Sequence, residues 1–376
     1  MDYRSEFAEF GDTVYLDVAG QGPLPRVSAR ALKQALEWKE LPHTMPREVY
    51  FALPDRVRGL AARLIGGKPG EVAITTGATA GLAAIALGID WKPGDEVLIA
   101  EREFPAHFAV FAPLAQRGWL QIRVVRPRGR YLTAEDFLGH IGRRTRLVTT
   151  SLVRFHDGTR LDPLPLAEAC HRAGAWLAVD ASQAAGAMPI DVREIGADFL
   201  VSSGYKWLLS PYGTGFFWVR EERKADMQPA PFYWTALPGA HEFNSLNLEP
   251  YRPDPSPRRW DAPETASLQL AAVEASLEFL LRVGVATIWQ HNRERIRQII
   301  DRLPLDRVVL ASPDSADARG PYVCVAARSP VKTRALHQKL RDAGIFVSLR
   351  ENALRIAPHL FTTPGDIDRL TNLLSI

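Results

Sequence analysis

Val179-Asp180-Ala181-Ser182-Gln183 and Phe199-Leu200-Val201-Ser202-Ser203-Gly204-Tyr205-Lys206-Trp207 are the stretches whose reading decides the fold. Each begins as an apolar run that ends in small or polar residues, the pattern of a buried strand passing into a loop. In open α/β sheets, ligands bind at the carboxyl ends of the strands. Asp180 stands at one such end. Lys206 lies just beyond the other, in an uncharged stretch flanked by Leu200, Val201, Leu208 and Leu209. Lysine is rarely buried without a reason. Taken singly, Asp180 also reads as an N-cap or turn residue, and Lys206 as a surface lysine whose stem packs on Trp207.

Outward from these two runs the same rhythm continues. Val72 to Thr75, Glu96 to Ala100, Ile122 to Val125, Leu147 to Ser151 and Gly215 to Val219 read as further strands, and helical patterns such as Leu164 to Ala173 lie between strands. This alternation predicts an α/β fold with a mainly parallel central sheet. Ile74-Thr75-Thr76-Gly77-Ala78-Thr79-Ala80-Gly81 runs from a strand through a small-residue turn into a helix, so free N–H groups and the helix dipole can meet a phosphate. It matches neither GxGxxG nor the P-loop pattern, which counts against dinucleotide dehydrogenases and P-loop NTPases.

Beyond residue 249, Pro250, Pro253, Pro255, Pro257 and Pro263 crowd into 14 residues, where neither a regular helix nor a central strand fits. The break predicts a large domain over 15–255 and a smaller C-terminal α/β domain over 256–376, with residues 1–14 packing against the smaller one. That second domain is expected to open with helices over Ala266 to Arg282 and Ala286 to Arg302.

The 376 residues, 46% of them hydrophobic and 24% charged, suit a protein with a sizeable core. A formal charge of +3 with scattered basic residues argues against a nucleic-acid partner. No stretch reaches the roughly 18 to 20 apolar residues of a membrane span, and Ala78 to Ile89 reads as a buried helix instead. The start, Met1-Asp2-Tyr3-Arg4-Ser5-Glu6, lacks the pattern of a signal peptide, and a cytoplasmic location is expected. Two distant cysteines, Cys170 and Cys324, read as core residues. Nine histidines without ligand spacing give no support for a metal.

A carboxylate, a lysine and a phosphate-type turn together suit one cofactor, pyridoxal 5'-phosphate, with its ring nitrogen, aldehyde and phosphate. Here the chain also resembles the class-V aminotransferases among fold-type I pyridoxal-phosphate enzymes, a family that includes cysteine desulfurases, selenocysteine lyases, kynureninases and isopenicillin N epimerase-like proteins. The resemblance runs from Tyr15-Leu16-Asp17-Val18-Ala19-Gly20 to Leu354-Arg355-Ile356-Ala357-Pro358-His359-Leu360. It centres on the strand-end Asp, the Gln three residues later and the Ser-Gly-(His/Tyr)-Lys-Trp segment, with Lys206 standing 26 positions after Asp180.

The resemblance implies that Lys206 forms the Schiff base and shuttles the Cα proton, and that Asp180 pairs with the ring nitrogen. It implies that Gln183 bonds the phenolic oxygen and Phe104 stacks on the ring. It gives the phosphate to Ser203 and Tyr205 beside the backbone at Gly77, Ala78 and Thr79, with Thr265 or Ser267 completing the site from a partner subunit of a homodimer. Both of those residues also read as helix N-caps. It implies that Arg355 holds the substrate carboxylate, a task for a planar fork. His156, in Val153-Arg154-Phe155-His156-Asp157-Gly158, is a candidate substrate contact and equally a loop histidine.

No cysteine lies between Cys324 and Arg355, where desulfurases carry their nucleophile, so persulfide chemistry is not expected. The leading reading is an aminotransferase acting on the Cα of an amino acid. A kynureninase-like lyase or an epimerase-like isomerase is the alternative, and a non-catalytic cofactor-binding protein a more distant one.

Overall fold

Val72-Ala73-Ile74-Thr75 and Phe199-Leu200-Val201-Ser202 are buried at every residue, as strands covered on both faces must be. The computed structural model describes residues 3–228, 234–237, 239, 242, 244, 245, 249, 252–261 and 267–375. Its main sheet has seven strands: β1 (Val72–Thr75), β2 (Glu96–Ala100), β3 (Gln121–Val125), β4 (Thr145–Ser151), β5 (Trp176–Asp180), β6 (Phe199–Ser203) and β7 (Gly215–Val219). They lie in the order β1-β7-β6-β5-β4-β2-β3, and every pairing is parallel except the two made by β7. The strands expected from apolar runs are all present, with ends shifted by at most two residues. β5 and β6 are neighbours, with Asp180 opposite Val201, so the two decisive loops emerge side by side.

Helices flank this sheet, among them α1 (Arg26–Glu40), α2 (Arg47–Ile65), α3 (Ala78–Gly88) and α4 (Leu164–Arg172). α3 lies hard against β6. A Cβ added at Gly81 would come within 2.5 Å of Val201 Cγ1, so glycine lets the helix approach the strand beneath it. None of the helices among the described residues is long and apolar enough to cross a membrane.

α5 (Ser267–Val283) and α6 (Val285–Asp301) follow, then a second sheet of β8 (Val308–Leu310), β9 (Val323–Ala327), β10 (Ser348–Arg350) and β11 (Ala353–Ile356). This sheet is antiparallel, ordered β10-β11-β9-β8, and packs with α7 (Pro330–Asp342) and α8 (Pro364–Leu374). Val14 and Tyr15 pair with Ile345 and Phe346, tying the start of the chain to this end of the molecule. α5, expected to open the second domain, instead packs lengthwise on α1 and α2. Its Leu270, Val273, Leu277 and Leu280 join the core that holds Leu53, Val57 and Leu60. A proline-rich break marks irregular backbone, but the partner of a helix is set by where its apolar face can be buried.

One buried ion pair secures the strand that leads to α3. Arg58 of α2 donates to both carboxylate oxygens of Asp261, at 2.6 and 2.5 Å, and Ile74 N donates to the same carboxylate at 2.8 Å. Removing one partner of such a pair leaves a buried charge and an unpaired amide. Asp261→Ala should therefore cost about 3–5 kcal/mol, read as a lower midpoint in urea unfolding. A loss below about 1 kcal/mol would show that water satisfies Arg58 without the carboxylate.

Candidate active site

Asp180 is buried at the carboxyl end of β5. Its Oδ1 accepts a hydrogen bond from Ser182 N at 2.8 Å, while Oδ2 faces His107 Nε2 at 3.7 Å, beyond hydrogen-bond reach. Burial alone would raise its pKa. The neighbouring His107, the Ser182 bond and the Lys206 charge outweigh that and hold the carboxyl below the usual aspartate range. Ser182 Oγ also accepts from Ser203 N at 3.0 Å, which ties the loop after β5 to the end of β6.

Lys206 follows β6 and is only 7% exposed. Its Nζ lies 5.2 Å from the centre of the Phe104 ring and 5.5 Å from that of Tyr205. Burial pulls its ammonium from the ordinary lysine value down to about 8; Asp180 opposes the shift, while Arg355 and Arg350 reinforce it. A neutral amine is therefore accessible near physiological pH. Next to it, Trp207 Nε1 donates to Gln183 Oε1 at 2.8 Å, and Gln183 Nε2 donates to Ala19 O at 2.9 Å. The Gln183 amide is thus held in one orientation, with its second N–H not used by either bond.

The start of α3 meets the end of β6. Gly77, with φ +147°, turns the chain into the helix, and Ala78 N donates to Ser203 Oγ at 3.2 Å. Helix N–H groups and a serine hydroxyl thus share one small region, as an anion site requires. Tyr205 is half-buried, and its ring lies tilted against that of the exposed Tyr212, with centroids 4.9 Å apart. Thr265 lies outside the described residues, and the side chain of Ser267 is likewise not described.

Arg355, on β11, is almost wholly buried. Nη1 donates to Phe155 O at 3.1 Å, and Nη2 to Ser348 Oγ at 3.2 Å and Asp17 Oδ1 at 3.4 Å. Its Nε has no hydrogen-bond partner among the described residues. The Phe155 ring meets Phe104 edge-on at 5.4 Å. Phe155 thus touches both Phe104 and Arg355, whereas His156 Nε2 faces Asp157 Oδ2 at 3.2 Å and its Nδ1 is buried without a hydrogen-bond partner among the described residues.

Several participants escaped sequence reasoning. His107 is fully buried, with Nδ1 at 2.8 Å from Thr149 Oγ1. Burial disfavours its cationic form, yet the Glu103 and Asp180 carboxylates raise its pKa. Glu103 accepts from Ser151 Oγ (2.7 Å), Ser151 N (3.0 Å) and Phe104 N (2.8 Å), which fixes the backbone beside Phe104. Asp17 and Arg350 complete the set. The one usable signal was His107 three residues after Phe104, one turn along a helix that Pro105 starts. Cys170 and Cys324 are buried, and burial pushes both thiols up to about 12, so neither supplies a thiolate. Among the described residues no cluster of three or more His, Cys, Asp or Glu could hold a metal.

The family model for aminotransferase class-V matches residues 14–355, nearly the whole chain. The chain belongs to the class-V aminotransferase family. It is 29% identical to isopenicillin N epimerase of Streptomyces clavuligerus over 96% of this chain and 94% of the relative. It is 28% identical to kynureninase of Myxococcus xanthus over 96% of this chain and 89% of the relative. In fold it matches a C-DES mutant with glycine covalently linked to the PLP cofactor. There the TM-score is 0.90 at 24% identity, covering 99% of this chain and 98% of the other. The fold is therefore that of fold-type I pyridoxal-phosphate enzymes, and this class-V aminotransferase family member is a pyridoxal-phosphate-dependent enzyme acting on amino acids.

Proposed function

We propose that this class-V member is an aminotransferase that moves the α-amino group of an amino acid to a keto acid, with Lys206 as its anchoring and proton-carrying residue. The observation that carries this reading is the buried amine of Lys206, 5.2 Å from the Phe104 ring and just beyond the strand next to the one that ends in buried Asp180. The residues fit pyridoxal 5'-phosphate. Buried Asp180 keeps Oδ2 without a hydrogen-bond donor among the described residues, as a protonated ring nitrogen needs. Gln183 has an N–H to offer the phenolic oxygen. Ala78, Thr79 and Ser203 supply donors for the phosphate, with Tyr205 beside them, and Phe104 supplies an aromatic face. Thr265 from a second copy is proposed to finish the phosphate site.

When bound, the cofactor withdraws electrons from the substrate Cα. Asp180 keeps the ring nitrogen protonated, because its own carboxyl is held below the ordinary range. Lys206, as a neutral amine, takes the Cα proton and can return it elsewhere on the same face. Arg355 orients the substrate through its carboxylate, and Asp17 and Ser348 hold the guanidinium in place.

One base favours transfer. Inversion at Cα calls for a second proton donor on the opposite face, and the reading gives that face to Phe104, which carries no exchangeable proton. The second reading, an epimerase or lyase, draws support from the likeness to isopenicillin N epimerase and kynureninase. The presence of Lys206, Asp180 and Arg355 together weighs against a non-catalytic binding protein. We also infer a cytoplasmic homodimer with shared sites. Tyr212, exposed yet packed at a tilt against Tyr205, supports a surface covered by a second copy.

The deciding experiment follows ¹⁵N from a panel of amino acids into 2-oxoglutarate or pyruvate. Label in the acceptor, with the donor's keto acid formed in equal amount, is the expected result. Ammonia release, or racemised donor without any acceptor, would replace transfer with the lyase or epimerase reading.

A further inference from the structure

The ribbon β10–β11 carries two guanidinium groups on one face. Ser348 lies directly across from Arg355, and Arg350 is two residues from Ser348 on the same strand, so the side chains of all three project to the same side. Arg350 and Arg355 are diagonal neighbours in this register, with Cβ atoms about 7–8 Å apart in such pairs, within reach of one bound molecule. The face is the one turned to the site, because Arg355 and Ser348 there meet Asp17 and the Phe155 carbonyl.

The charges on this face do not balance. Asp17 pairs with Arg355. Arg350 is half-buried and donates to the Leu349 carbonyl at 3.0 Å, but among the described residues it has no ion pair within 4 Å. Its neighbour Glu351 is engaged elsewhere, accepting from Arg102 Nε at 3.0 Å. Burial, and next Arg355, pull the Arg350 pKa down; Asp17, already paired with Arg355, only partly opposes them. A partly buried guanidinium without a carboxylate is costly unless a ligand supplies one.

We propose that Arg350 forms a second anion subsite beside Arg355, so that the preferred substrate is an amino acid with a side-chain carboxylate, its α-carboxylate taken by Arg355 and the second by Arg350. This rests on the assignment of Arg355 above. A bidentate guanidinium–carboxylate contact rewards a diacid over the monoacid of equal length, and a neutral side chain leaves Arg350 unpaired.

The test uses the cofactor-loaded enzyme and ligands that cannot react: succinate and glutarate against butyrate and valerate, titrated by calorimetry. Diacids should bind about 10- to 100-fold more tightly than monoacids of the same length. Arg350→Gln should erase that advantage while changing monoacid binding by less than about threefold. Arg350→Lys, which keeps the charge and loses the fork, should retain part of it. Arg355→Gln should weaken both kinds of acid. Equal weakening of monoacids and diacids by Arg350→Gln would overturn the proposal, because it would mean that one carboxylate is shared by both arginines. So would a wild-type enzyme that does not distinguish the acids or binds none. Each variant is checked for an unchanged circular dichroism spectrum and cofactor absorbance. A protein that fails to take up the cofactor at all sinks the assignment of Lys206 and Asp180 instead, so the two failures are distinguishable.

Discussion

Lys206→Ala is expected to lower turnover of any amino acid by about 10²- to 10⁴-fold, the range for losing a positioned proton-transfer group, and to end covalent attachment of the cofactor. Borohydride reduction followed by peptide mapping should find the cofactor on Lys206 in the wild type and on no residue in the variant. Label on a different lysine would refute the assignment. The pH dependence has a definite sign. Burial lowers the Lys206 ammonium to about 8, so the neutral nucleophile becomes scarcer below that value. Attachment of cofactor to the free enzyme should slow about tenfold for each pH unit below 8 and level off above it. A plateau reached only near the ordinary lysine value would show that the amine is solvated rather than buried.

The second large effect concerns Asp180. Asp180→Asn keeps the shape and an acceptor for Ser182 N but removes the charge opposite the ring nitrogen. Expected is a fall in kcat of about 10²- to 10⁴-fold with cofactor content preserved and KM little changed, the mark of an interaction used mainly in the transition state. Exchange of the Cα proton with deuterated water should slow by the same factor. If exchange persists at the wild-type rate, Asp180 is a structural carboxylate and the ring nitrogen is protonated by another group. Because His107 and its neighbours hold the Asp180 pKa below the ordinary aspartate range, wild-type activity should show no acid limb from this residue near neutrality.

How far the residues alone led depends on the kind of contact. Val72–Thr75, Glu96–Ala100 and Gly215–Val219 could be delimited from sequence because strands covered on both faces are written as unbroken apolar runs. Asp180 and Lys206 stood out because a charge beside such a run is costly to bury and needs a purpose. Gly77 was legible because a strand passing through a small-residue turn into a helix offers free N–H groups to a phosphate. In contrast, the sequence pointed to His156 in a segment where Phe155 makes the contacts to Phe104 and Arg355. Phe155 meets Phe104 through its ring and Arg355 through its backbone carbonyl, and no periodicity in a loop announces either contact.

What the sequence determined by itself was therefore local and one-dimensional: the run of strands, the turn before α3, and an aspartate and a lysine at the ends of successive strands. What only the tertiary structure decided was which distant groups meet them. His107 comes to face Asp180 because β2, β4 and β5 are consecutive in the sheet. Arg350 and Arg355 share a face because of the register of one hairpin, and α5 packs on α1 and α2 because their apolar surfaces were open to it. The physical reason is that hydrophobic burial is non-directional and can be read from composition along the chain. Electrostatic pairing depends instead on distances of a few ångströms, which exist only once the sheet order and strand register are set.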